Sequence, residues 1–273
     1  MKSKDLFPAI FSRHAEAYEL RLDQIMSRGE ARGRQRVIDL VEAGPGMRVL
    51  DLACGPGNLS RRVAALVAPG GQVVGVDLAP GMIERARAAG IANASFEVMD
   101  IEELAFPDAS FDAALCGHGL QFVPHLDRAL GEARRVLRPS ARFAASVPLP
   151  STVIGPWKLI DEVVEKWLPP APRATDQQET RAIVADTAVF RRAAVAAGFT
   201  KARVEVAEEE VRWESAEQLV SLFASWWDCA SRLEGIDLER RQAFVDEAIA
   251  ALRREHPGAI ETTGRNHVLF AIA

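Results

Sequence analysis

Apolar positions recur at helical spacing over residues 9–40, with a weak break at Gly29 and Gly33. From Met47 the texture changes to short apolar runs separated by turns and helices. Arg48 to Leu52 reads as a strand, Gly55-Pro56-Gly57 as a turn, and Asn58 to Val67 as a helix. Gln72 to Asp77, Ser95 to Met99, Phe111 to Cys116 and Ala141 to Val147 are the next four strands. Helices fall between them, from Pro80 to Ala89 and from Pro124 to Arg138-Pro139. Short strands alternating with helices predict βαβ units and a parallel sheet. After Pro150 that rhythm stops. A Pro-rich break (Pro169, Pro170, Pro172) separates a helix over Trp157 to Leu168 from one over Thr187 to Ala197, which Gly198 ends. Lys201 to Trp213 reads as a strand, two helices follow at about 215–233 and 237–255, and His267 to Ile272 is the last strand.

The composition is that of an ordinary globular protein with a buried core. A net charge of −5 gives no general attraction to nucleic acid, whose backbone contacts need an excess of Lys and Arg. The basic run Arg28, Arg32, Arg34 and Arg36 reads as a solvated helix face. Cys54, Cys116 and Cys229 have no metal-ligand spacing and form no disulfide framework, which fits a reducing compartment. Met1-Lys2-Ser3-Lys4 starts like a signal peptide, but Pro8, Arg13, His14 and Glu16 interrupt any apolar region behind it. No apolar run is long enough to span a bilayer. These features predict a cytoplasmic protein, monomer or homodimer, with no nucleic-acid or membrane partner.

The informative segment is Val49-Leu50-Asp51-Leu52-Ala53-Cys54-Gly55-Pro56-Gly57-Asn58. A Gly-rich turn between a first strand and a first helix lets a ligand approach the backbone, with the helix N-terminus behind it. Gly-x-Gly alone is shared with dinucleotide-binding folds. Here Ser60 stands where their third glycine would be, and Asp51 lies four positions before Gly55. A carboxylate there would repel a pyrophosphate but favour the ammonium and sulfonium of S-adenosylmethionine (SAM). Asp77 ends the second strand, where a carboxylate can accept hydrogen bonds from both ribose hydroxyls. Asp100 ends the third, with the adenine amine as its expected partner. Each aspartate alone could be a helix N-cap; three at successive strand ends are harder to explain so.

Val49 to Ser60, Val73 to Arg87, Phe96 to Leu104 and Phe111 to Val147 resemble the class I SAM-dependent methyltransferases. The nearest branch is the small-molecule enzymes of the ubiquinone and menaquinone type. Asp108-Ala109-Ser110-Phe111-Asp112-Ala113-Ala114 and Ala133-Arg134-Arg135-Val136-Leu137-Arg138-Pro139 are similar to that branch, while Ser140-Ala141 replaces its usual Gly-Gly turn. The resemblance covers residues 37–148 and is looser outside them. It implies an α/β, Rossmann-like doubly wound sheet of seven strands with the last antiparallel. It also implies cofactor contacts from Ala53, Gly55, Gly57, Asp77, Leu78, Met82, Asp100, Ile101 and the Cys116 backbone, beside Asp51. Tyr18 falls where the N-terminal helix of such enzymes folds over the cofactor; packing in the core is the alternative.

The segment Cys116-Gly117-His118-Gly119-Leu120-Gln121-Phe122 faces the switch point beside the first strand, where the methyl group is expected. It lacks the Asn/Asp-Pro-Pro-aromatic tetrapeptide of amino-methylating nucleic-acid enzymes, a Pro-Cys nucleophile, and acidic metal ligands. The expectation is metal-free transfer to oxygen or carbon of a small, largely apolar or aromatic acceptor. His118 is the candidate base or substrate orienter, with Gln121 beside it; His125 reads as a surface residue. Trp157, Trp226 and Trp227 are expected at the acceptor, on helices near 156–168 and 215–255 that act as lids. The domain plan is an N-terminal helical cap (1–36), a SAM-binding core (37–150) and a C-terminal half completing the sheet (151–273). Two other readings stay open: a nicotinamide-dependent oxidoreductase, and a non-catalytic SAM-binding module.

Overall fold

The computed structural model describes residues 1–149 and 155–273, so the boundary expected at Pro150 lies outside the described residues. Three helices open the chain: α1 (Ser3–Arg13), α2 (Ala15–Ser27) and α3 (Arg32–Val41). The alternating part follows as β1 (Arg48–Leu52), α4 (Asn58–Val67), β2 (Gln72–Asp77), α5 (Pro80–Ala88), β3 (Ala94–Val98), β4 (Phe111–Gly117), α6 (Leu126–Val136) and β5 (Leu137–Pro148). Then come α7 (Pro156–Trp167), α8 (Gln178–Ala185), α9 (Thr187–Ala196) and β6 (Thr200–Trp213). The chain closes with α10 (Ala216–Ala224), α11 (Trp227–Glu234), α12 (Leu238–Glu255) and β7 (Ile260–Ile272). No helix among the described residues is long and apolar enough to cross a membrane.

The strands form one seven-stranded sheet in the order β3-β2-β1-β4-β5-β7-β6. Strands β1 to β5 pair in parallel, whereas β7 runs antiparallel to both β5 and β6. The sheet order reverses between β1 and β4, which makes their C-terminal ends the switch point. Side chains alternate across the sheet. Leu50 and Leu52 pack on one face with α6 and α9, while Val49 packs on the other with α3 and α4. Burying each such side chain contributes on the order of 1.5–3 kcal/mol. The same alternation sends Asp51 to the α4 face, into an otherwise apolar layer.

A third apolar cluster stands apart from the sheet faces. Ile160 and Val164 of α7, Leu219 of α10 and Phe244 of α12 pack together over Trp213 and Ile260. The helices outside the αβ repeat therefore have a core of their own.

Several elements differ from the sequence reading. The N-terminal helical stretch is three helices, and α8 was not foreseen. The helix expected at 215–233 breaks after Ala224, where Ser225 Oγ donates to the Leu222 carbonyl at 2.7 Å and Trp226 takes an extended conformation. The last strand begins at Ile260, seven residues before the expected His267, because polar Glu261 to Asn266 pair with the far end of β6.

Candidate functional site

Two cavities lie over the C-terminal ends of the strands and meet there. The first, about 910 Å³, is floored by the loops after β1, β2 and β3 and roofed by α1 and α2. The second, about 1120 Å³, lies between α2, α3, the start of β7, Trp157 of α7 and the kink at Trp226. Phe11, Tyr18, His118 and Phe122 line both and form the seam.

The first cavity is built from backbone conformations that its sequence permits. Gly55 and Gly57 adopt φ of 55° and 85°, and between β1 and the turn Ala53 is held at 52°. The turn is tied to β2, since Gly55 N–H donates to Asp77 Oδ2 at 2.9 Å and Ala79 N–H donates to Asp77 Oδ1 at 2.9 Å. Burial raises the Asp77 carboxyl above its ordinary range, with those amides opposing the shift. Asp51 Oδ2 accepts from Ser60 Oγ at 2.5 Å, but its Oδ1 is buried with no partner among the described residues. Burial, opposed by the Ser60 bond and reinforced by nearby Asp77, pushes this carboxyl up to about 7.

At the seam the chain is strained. His118 has φ of 72°, in the left-handed region that a histidine rarely occupies. Its flanking glycines are required for contact, since a Cβ on Gly119 would stand 2.4 Å from Ala53 Cβ and one on Gly117 2.5 Å from Leu59 Cδ2. The His118 N–H donates to the Ser146 carbonyl at 3.0 Å, which pins the backbone. The ring's Nε2 is buried without a partner. Burial, and then the positive charges of Arg34 and Arg21, hold its pKa well below the ordinary value, with Asn266 offsetting only part; the imidazole is neutral at pH 7. Gln121 Nε2 donates to the His118 carbonyl at 3.2 Å, leaving its Oε1 buried and unpartnered.

Aromatic rings close the seam. Phe122 packs against Phe7 and Phe11 at centroid distances of 4.8 and 5.3 Å, and Trp227 meets Phe7 at 5.3 Å. On the far wall Trp157 and Trp226 lie 5.2 Å apart.

The comparisons with known proteins agree with this arrangement. A family model described as "Methyltransferase domain" matches residues 49–140. The chain is 32% identical over 240 residues to the nocamycin O-methyltransferase of Saccharothrix syringae, covering 82% of this chain and 84% of that one. The chain belongs to the class I SAM-dependent methyltransferases. The demethylmenaquinone methyltransferase of Symbiobacterium thermophilum is 35% identical over 140 residues, which span 49% of this chain but only 55% of that enzyme. Among solved structures, the phosphoethanolamine N-methyltransferase 2 of Haemonchus contortus, in complex with S-adenosyl-L-methionine, is similar in fold. Its TM-score is 0.52 at 17% identity, covering 88% of this chain and 51% of that one.

This methyltransferase takes SAM as its cofactor, and the first cavity fits that group on its own features. The unpartnered Oδ1 of Asp51 offers a buried anion for the cofactor's ammonium, and the oxygens of Asp77 retain lone pairs for ribose hydroxyls. Tyr18, Asp51, Ala53, Gly55, Asp77, Leu78, Met82, Asp100 and Ile101 all line it. Gly57 and Cys116 do not. Gly57 precedes α4, where a Cβ would meet the Phe96 ring, and Cys116, whose backbone was the expected contact, is fully buried with its thiol pushed up to about 12 by burial. Asp100 is already engaged, with Oδ1 accepting from the Glu102 N–H at 2.9 Å and Oδ2 paired to Lys4 Nζ at 2.6 Å.

His118, Gln121, Trp157, Trp226 and Trp227 all line the second cavity. Sequence reasoning missed its two half-buried cations, Arg21 and Arg34. Arg34 was read as part of a solvated face, yet its Nη2 donates to the Tyr18 hydroxyl at 3.2 Å. Arg21 lies over the Trp226 ring, its guanidinium carbon 4.5 Å from the centroid. Tyr18, Arg21 and Ile25 share one face of α2 at spacings of three and four, a signal that was available.

Proposed function

We propose that this methyltransferase transfers the methyl group of SAM, without a metal, to an oxygen of a small, largely apolar acceptor in the second cavity. The observation that carries this reading is the seam: a neutral, unpartnered His118 Nε2 stands between a cavity suited to the cofactor and one walled by tryptophans. The cofactor supplies an electrophilic methyl carbon on a sulfonium.

Asp77 and the Gly55 turn hold the ribose, Asp51 holds the ammonium, and the wall that includes Trp157 and Trp226 borders the acceptor's apolar body. The aromatic seam excludes water, so alignment and desolvation contribute much of the acceleration. His118 Nε2 accepts the acceptor hydroxyl's hydrogen bond and takes its proton as the carbon–oxygen bond forms. Because its pKa is depressed, it is a weak base that transfers late. The guanidiniums of Arg21 and Arg34 act here only through His118, whose pKa they hold down. Gln121 Oε1 is free to orient a polar substituent.

Charge favours oxygen over carbon. Methylation of an electron-rich carbon builds positive charge on the acceptor, and the Trp226 face that could have stabilised it already carries Arg21. The same guanidinium groups disfavour a divalent cation at the seam. The relatives named for oxygen and for quinone methylation are both compatible with an apolar acceptor. The test is turnover of methyl-labelled SAM with a panel of paired phenols and their O-blocked, carbon-reactive analogues. Product labelled at oxygen supports the reading; label on carbon alone, or a requirement for added metal, overturns it.

A further inference from the structure

The second cavity holds more positive charge than the proposed methyl transfer accounts for. Arg21 makes no hydrogen bond or ion pair among the described residues, and its Nε is wholly shielded from solvent. Arg34 bonds only the Tyr18 hydroxyl, and its Nε is shielded in the same way. Both residues line the cavity and are half-buried. The other charged groups facing this space do not neutralise them. Glu209 accepts from the Gly33 N–H at 2.8 Å, Asp228 Oδ2 lies 3.9 Å from Arg232 while its Oδ1 is unpartnered, and Arg265 adds a third cation. Neither carboxylate comes within 4 Å of Arg21 or Arg34.

Removing a guanidinium from water without a counter-ion is costly, and structures retain such groups when something pairs with them. Burial, with Arg34 nearby, draws Arg21 down to about 9, which still leaves it charged at neutral pH. The Trp226 face attracts the cation but accepts none of its N–H groups. Beside the pair, Asn266 Nδ2 is a further buried donor without a partner. Three donors without partners thus belong to residues that line the same cavity as Trp157 and Trp226.

We propose that the acceptor is an amphiphilic acid, and that its ionised carboxylate is held by Arg21 and Arg34 while its apolar body lies against the tryptophan wall of the same cavity. This rests on the second cavity being the acceptor site. The planar forks of the two guanidiniums suit an oxyanion in two-point contact, which fixes the molecule's orientation relative to His118. An acid group anchored there presents a separate hydroxyl to the seam and leaves the His118 step unchanged. The arginines act as specificity-determining residues.

The test uses two isosteric probes, 2-naphthoate and 2-naphthamide, titrated calorimetrically into the full chain with and without S-adenosylhomocysteine. The expected result is naphthoate binding ten- to a hundredfold tighter than the amide, the margin of charge-assisted over neutral hydrogen bonds. The preference should shrink in 0.5 M salt, fall to near unity in Arg21→Gln, and return in part in Arg21→Lys. S-adenosylhomocysteine affinity of Arg21→Gln should match wild type. Equal affinities of the two probes for wild type, no binding of either at millimolar concentration, or a preference that survives Arg21→Gln overturns the proposal. The wild-type comparison needs neither a variant nor turnover, so failure of methyl transfer to oxygen reads out separately.

Discussion

The two cavities share a wall and are built by opposite means. The cofactor cavity comes from the C-terminal ends of three successive strands, with Asp51 in β1, Asp77 ending β2 and Asp100 in the loop after β3, and its unpaired carboxylate oxygen is that of Asp51. The proposed acceptor cavity draws Arg21, Arg34, His118, Trp157, Trp226 and Asn266 from across the chain, and three arginines line it against two carboxylates, Glu209 and Asp228. The first is a local product of turn geometry, rigid wherever backbone amides bind its carboxylates. The second exists only when the N-terminal helices, the α7–α12 cluster and the β6–β7 ribbon have assembled. On the proposed reading, this contrast sorts a cationic donor from an acidic acceptor.

The sharpest way to break the contrast is at the seam. His118→Ala should lower kcat by about 10²–10⁴ with a hydroxyl acceptor while S-adenosylhomocysteine affinity is retained. A pH–rate profile should be flat from pH 7 to 9 as far as His118 is concerned, because its pKa lies well below 6.5 and the imidazole is already neutral there. Normal turnover of the variant would remove His118 from the mechanism. Next in size, Asp77→Ala should weaken cofactor binding by about 1.5–3 kcal/mol, the worth of its charge-assisted bonds, and leave 2-naphthoate binding unchanged. An affinity within twofold of wild type, measured by calorimetry, would reduce Asp77 to a tie between β2 and the Gly55 turn.

Asp51 gives a smaller, graded effect. Its carboxyl titrates at about 7 in the free protein, and a cationic ligand binds the ionised form. Cofactor affinity should therefore be constant above pH 8 and fall by up to tenfold per unit as pH drops below 7. Asp51→Asn should abolish the slope; a slope that persists assigns the proton elsewhere. The least effect is dynamic. Hydrogen exchange in α7 and in α10 to α12 should slow by a few-fold when both cavities are filled, because these helices have a core of their own and join the sheet through few elements. Equal protection in free and bound protein would make them a fixed wall.

The same contrast governs what could be read from the sequence. Strands β1 to β5 and the Gly55 turn were legible because their signals are contiguous: an apolar run, a glycine with positive φ, an acid at the strand end. The first half of β7 was not, because Glu261-Thr262-Thr263-Gly264 is polar. Its partner strand decides its structure, with Thr262 buried against Trp213 Nε1 at 2.8 Å. The kink that presents Trp226 was hidden inside a continuous helical pattern. Arg34 looked like one of several surface arginines, and only tertiary packing distinguishes it from Arg32, which is exposed. Lys4, read as the start of an abortive signal peptide, instead pairs with Asp100 and Glu102. Periodicity reports which face is buried; it does not report which distant face will cover it.

A crystal structure with S-adenosylhomocysteine tests the central claim most directly, because it locates the sulfur relative to the seam. The account predicts the ribose hydroxyls on Asp77, the ammonium on Asp51, and the sulfur facing His118, with the space beyond it opening onto Arg21 and Trp226. A sulfur turned away from His118, or the nucleoside lodged in the tryptophan-walled cavity, would contradict it.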